Sequence, residues 1–157
     1  GNYSLALQVI TVFTIFTTIL FKFLLTQESS GIQNRSLIRI VIIISVMISL
    51  AGIFLSPLVI PNFFPKYVEA GVAIQIMSLS IIPVTITTIC ISRLLAKEKS
   101  KLVLIGGVLG LFILVLGILI LGSMYGTMGI AMTFVLTAIS KATYLGLMVK
   151  KYERSVN

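Results

Sequence analysis

The sequence predicts an all-α, polytopic membrane helix bundle of about five transmembrane helices. Three observations lead there. Of 157 residues, 58% are hydrophobic and only 10% are charged, whereas soluble domains hold about 25% charged residues. So few charges could not cover the surface of a soluble globule. The apolar residues also fall into long runs. The run from Gly71 to Ser92 has 22 residues and no charge. As a helix rising about 1.5 Å per residue it reaches about 33 Å, enough for a bilayer core of about 30 Å. Finally, lysine and arginine gather in the connections between runs, as membrane topology demands. No run alternates apolar and polar residues over barrel-strand length.

The first expected span, residues 4–25, carries a polar stripe of Gln8, Thr11, Thr18 and Lys22 within about 80° at helical spacing. A polar loop with Glu28 and Arg35 follows. The second, residues 40–60, lines one face with Ser45, Ser49, Gly52 and Ser56, small residues that let helix backbones approach closely in lipid. Pro57 and Pro61 are expected to end it. The third, residues 70–95, places Ser78, Thr85, Thr88 and Ser92 on one face, with Gln75 near its edge and a kink expected at Pro83. The fourth, residues 102–121, has no polar side chain, and Gly106 with Gly110 forms a GxxxG pair. The linker 122–127 is uncharged. The fifth, residues 128–149, brings Thr133, Thr137, Ser140, Lys141 and Tyr144 within about 100°.

Charge sets the orientation. Arg35 and Arg39, then Arg93, Lys97, Lys99 and Lys101, then Lys150, Lys151 and Arg154 belong to one side, and only Lys66 to the other. The positive-inside rule then puts the C-terminal tail, residues 150–157, in the cytoplasm of a multi-pass cell-membrane protein, with the N-terminus outside. Tyr3, Tyr67 and Tyr125 mark the outer interface and Tyr152 the inner one. The net charge of +8 would suggest nucleic acid in a soluble protein. Here loop topology accounts for it, and membrane lipid is the expected partner instead of nucleic acid.

The chemistry available is narrow. There is no histidine, and the 4 acidic residues, Glu28, Glu69, Glu98 and Glu153, sit in loops or at span ends. The single cysteine, Cys90, lies inside an apolar run without a base and cannot form a disulfide within the chain. No metal site and no cofactor are suggested, and the constellations of hydrolysis or group transfer are missing. The expectation is a protein that is not an enzyme. Two cations remain within spans. Lys22 is near enough to the inner interface to snorkel. Lys141 is deeper, about 12 Å by helix rise from Val149. At that depth a charge costs at least about 2.5–3.5 kcal/mol on insertion scales. It is expected to face a wet cavity or an anionic partner, the alternative being a polar contact between helices.

These residues resemble a family. The segment Phe63, Phe64, Pro65, Lys66, Tyr67 through Ala70, with the run Ile74 to Pro83, is similar to the "FG-x-x-Y-x-x-A" and "L-x-I-L-x-L-x-x-P" patterns of polysaccharide-type flippases. These belong to the multidrug/oligosaccharidyl-lipid/polysaccharide exporter superfamily. Leu94 to Lys101 resembles the following "LLA-x-G-K" loop, and Tyr125 to Ala131 the "YG-x-x-G-A-A" start of the last helix. The order fits from about Ser4 to Lys151. Phe64-Pro65 stands where the family often has Phe-Gly, the first span lacks a common proline near Lys22, and Lys141 stands where glutamate is frequent.

The resemblance implies an incomplete C-terminal lobe of a two-lobed transporter, with an N-terminal lobe missing from this chain. It implies alternating access for a lipid-linked oligosaccharide or polysaccharide precursor. The cavity candidates are Lys141, Tyr144, Thr137, Ser140, Lys22 and Gln75. An ion-coupled multidrug exporter of the same superfamily and a non-transporting membrane scaffold are the competing readings.

Overall fold

The computed structural model describes residues 35–63 and 68–156, together with Ile15, Thr18, Ile19, Lys22, Phe23 and Thr26, which are helical. The rest of the expected first span, and the turn holding Pro65, Lys66 and Tyr67, lie outside the described residues. The described elements are helices: α1 (Arg35–Phe63), α2 (Val68–Leu79), α3 (Ile81–Ala96), α4 (Ser100–Gly117), a π-helical turn (Ile118–Gly122) and α5 (Ser123–Val156). Among the described residues there is no strand.

Among the described residues three segments, not the five expected spans, are long and apolar enough to cross a membrane: Ile38–Leu58, Gly71–Ala96 and Ser100–Arg154. There are two reasons for the difference. The first expected span falls almost wholly outside the described residues. The fourth and fifth merge, because the linker 122–127 is not a loop but continues helically on either side of Gly126. The chain nevertheless reverses there. Gly126 has φ 56 and ψ −131, outside helical space, a conformation that glycine adopts without a Cβ clash. The residues pairing across the two arms step outward symmetrically from it. Gly117 faces Thr133, Gly110 faces Lys141, and Gly106 faces Tyr144 and Leu145. Close to the bend, Gly129 lies against the Leu121 carbonyl, leaving no room for a Cβ.

The small-residue face of α1 packs as its spacing predicts. Ser49 Oγ donates to the Ser78 carbonyl at 2.8 Å, Ser56 Oγ to the Gly71 carbonyl at 3.1 Å, and Ser45 and Thr85 hydroxyls meet at 2.8 Å. A Cβ on Gly52 would overlap the Ser78 hydroxyl. These pairs run antiparallel, so the start of α1 is level with the end of α3.

Contrary to the expected stop, α1 continues through Pro57 and Pro61 to Phe63. Proline at 57 has no N–H to give the carbonyl four residues earlier. That carbonyl, of Ile53, accepts instead from Gln75 Nε2 at 3.2 Å. The helix survives its proline because a neighbouring helix replaces the lost donor.

The break in the next segment falls at Ser80, three residues before Pro83. The Ser80 amide bonds the Met77 carbonyl at 2.9 Å, and Ser80 Oγ bonds the same carbonyl at 2.6 Å. Beyond the break, α3 lies between α1 and α5 and is buried on both sides. Thr85, Thr88 and Ser92 are buried on one face, and Thr87, Cys90 and Leu94 on the other. The core at this end joins Cys90 and Leu94 to Leu145 and Val149 of α5, with Leu94 and Leu145 each only 1% exposed.

Large side chains point outward. Leu104 and Phe112 on α4 and Leu119 on the π-helical turn are 65–69% exposed, while Gly106 and Gly110 of α4 are buried. Small and hydroxyl residues fill the interior, and Ser78 and Ser92 are fully buried. That distribution inverts the soluble pattern and suits helices that associate in lipid, where apolar burial supplies no drive and close approach does.

Helix α3 ends in a turn of two reciprocal bonds. The Lys99 amide reaches the Leu94 carbonyl at 2.8 Å and the Glu98 amide the Leu95 carbonyl at 2.9 Å. Glu98 holds φ 57 to make them, the left-handed position that glycine usually takes at a helix end.

Candidate functional site

The polar stripe expected on the last span exists, on α5, and four of the six candidate residues belong to it: Thr137, Ser140, Lys141 and Tyr144. Helix α5 packs against α2, α3 and α4, so its stripe is sheltered. Thr133 and Thr137 are buried, while Ser140, Lys141 and Tyr144 are half-buried.

The stripe meets the glycine face of α4. The stem of Lys141 crosses Gly110 so closely that a Cβ there would overlap its Cε and lie 2.8 Å from its Nζ. The Tyr144 ring lies over Gly106, with Cδ1 3.3 Å from where a Cβ would stand. Thr133 sits on Gly117 and returns its hydroxyl to the Gly129 carbonyl at 2.8 Å. GxxxG and lysine therefore explain each other. The missing side chain at 110 is the space in which the aliphatic stem of Lys141 lies. The expected pair Gly106 and Gly110 is the close-packed face, and its partner is the next helix of the same chain.

Thr137, one turn before Lys141, is buried with its hydroxyl making no hydrogen bond to protein. Thr87 is the other described residue of this kind. Sequence reasoning passed over Thr87 because it stands opposite the Ser78 to Ser92 face. Its signal was present: a hydroxyl on the far side of a helix that is polar on its near side predicts packing on both faces.

The other two candidates lie elsewhere. The Gln75 amide is committed to the Ile53 carbonyl between α2 and α1. Lys22 is exposed on the first helical stretch, where its carbonyl accepts from Thr26 Oγ1 at 2.8 Å.

At one end of the bundle the charges converge. Arg93 Nη1 stands 3.5 Å from Glu153 Oε1, and Lys99 Nζ lies 4.9 Å from the centre of the Tyr152 ring. These contacts hold the α3–α4 connection against the end of α5. The antiparallel course of α1 brings its first residues, Arg35 and Arg39, to the same level. All nine cations that charge counting assigns to one side thus share one end of the bundle. Among the described residues no group of three or more histidine, cysteine or acidic side chains could hold a metal. Comparison with protein-family models, with curated proteins and with solved structures returns no match for this chain, and the functional reading rests on the residues themselves.

Proposed function

We propose that this chain is part of a flippase that moves lipid-linked oligosaccharide or polysaccharide precursors across the cell membrane by alternating access. In this reading five helices cross the bilayer: the first span at residues 4–25, α1, the α2–α3 segment, and the two arms that meet at Gly126. The tail is cytoplasmic, and a second lobe completes the cavity.

Lys141 is the observation that carries the proposal. It sits about 12 Å by helix rise inside its span, twice the reach of a lysine stem, and no carboxylate lies within any expected span. A cation at that depth is costly unless something anionic or wet meets it. The phosphates and sugars of a glycolipid head group need such cations and hydroxyls inside the membrane. Thr137, Ser140 and Tyr144 supply hydroxyls on the same face. The substrate's lipid tail can stay in the bilayer, which suits the bare apolar exterior of α4. With its stem on Gly110, Lys141 is in a sheltered position, and parting of α4 from α5 would present it to substrate. The mostly cationic substrates of an ion-coupled multidrug exporter fit this lysine-bearing, acid-free interior poorly.

The test is glycan export by the intact protein carrying Lys141→Ala or Lys141→Glu. Both variants are expected to express normally and to lose export at least about tenfold, the worth of one charge-assisted contact. Full export by both would remove Lys141 from the site. Transport of a radiolabelled organic cation would favour the multidrug reading, and activity without any transport a scaffold.

A further inference from the structure

The basic end of the bundle has a use beyond setting topology. Lys97 and Lys99 lie on the connection between α3 and α4, Lys101 on the first turn of α4, and Lys150, Lys151 and Arg154 on the last turns of α5. The Arg93–Glu153 and Lys99–Tyr152 contacts fasten one group beside the other. Six cations stand here against Glu98 and Glu153, and the second of these is taken up by Arg93. Lys97, Lys101, Lys150, Lys151 and Arg154 are all exposed.

Depth identifies the occupant. From Thr127 to Val156 the second arm of the hairpin reaches about 45 Å, well beyond a hydrocarbon core of about 30 Å. Its last two turns therefore stand at the level of the lipid head groups, and the contacts above hold the α3–α4 connection at that level too. Beside them the outer face of α4 is bare and apolar, with Leu104 69% and Ile105 46% exposed, a surface for acyl chains directly below the cations. Phosphate above hydrocarbon is the chemistry of an anionic phospholipid.

We propose that this vertex of α3, α4 and α5 binds anionic phospholipid head groups in preference to zwitterionic ones. The proposal rests on the membrane reading of the chain and is independent of what the transporter carries.

Native mass spectrometry of the full chain, released from micelles containing phosphatidylglycerol or phosphatidylcholine, tests it. The expected result is preferential retention of phosphatidylglycerol, falling about fivefold for each cation removed in the series Lys97→Gln, Lys101→Gln, Lys150→Gln and Lys151→Gln. Raising salt from about 50 to 300 mM should weaken the preference in the unaltered protein, since the charges are exposed; this arm does not depend on any variant folding. Equal retention of the two lipids, or a preference that survives the fourfold variant, would overturn the proposal. Displacement of the lipid by inorganic phosphate alone would also overturn it, assigning the cations to a soluble anion. Loss of glycan export has no bearing on any of these outcomes.

Discussion

At the residue scale, two side chains occupy positions where the backbone, not the side chain, sets the requirement. Glu98 takes a left-handed φ of 57 to close the turn after α3. A Cβ is strained there, and glycine is not. Glu98→Gly should stabilise the protein by about 0.5–1 kcal/mol, the usual gain net of added unfolded-state freedom. Thermal unfolding in detergent would show it as a higher midpoint, and a lower one would contradict the assignment of strain. Gln75 is the second case. Its amide replaces the donor that Pro57 withholds from Ile53. Gln75→Leu should therefore cost about 1 kcal/mol. In a Pro57→Ala background, where the backbone amide returns, the same change should cost much less. A double-mutant cycle measures that coupling, and additive effects would show that the two residues act separately. Gln75 was legible in the sequence as a polar side chain facing inward. Its partner was not, because the partner is a backbone carbonyl on another helix.

At the element scale, the hairpin of α4 and α5 discriminates between adjacent glycines. Gly110 has Lys141 in the place of its absent side chain, whereas Gly107 has nothing within 4 Å. Gly110→Ala should wedge the arms apart and cost about 1–3 kcal/mol, as overpacking does. Gly107→Ala should be neutral or slightly stabilising through helix propensity. Unfolding midpoints of the two variants give the answer, and equal effects would remove Lys141 from its position on α4. The sequence marked Gly106 and Gly110 as one face by their spacing. A reversal was expected within residues 122–127, and the bend at Gly126 falls inside them. An uncharged linker reads as a loop, yet here it stays helical up to a single non-helical glycine.

At the scale of the whole molecule, the arrangement depends on α3 and α5 finishing at the same end. With Cys90→Ser as background, single cysteines at Lys99 and Lys150 should react with a membrane-impermeant thiol reagent from the same side of a sealed vesicle. Labelling from opposite sides would dismantle the bundle described above, since Lys99 lies over Tyr152. Layering was only half legible. The Ser, Gly and Thr stripes marked one face of α1 and one of the α2–α3 segment as close-packed, and the structure shows that these two faces meet each other. That α3 is enclosed on its other face as well, by α5, could not be read from a run that is apolar all round.

The sequence by itself determined that the chain is helical and suited to a membrane, which faces of α1 and α4 are close-packed, and that the cations fall into one set. Each of these depends on composition and on periodicity along a single helix. Only the tertiary structure decided that Lys141 rests on Gly110, that Gln75 serves Ile53 and that the last two runs form one hairpin. Those are meetings between residues on different helices, and in lipid, where any apolar surface suits any other, shape and hydrogen bonding select the partner.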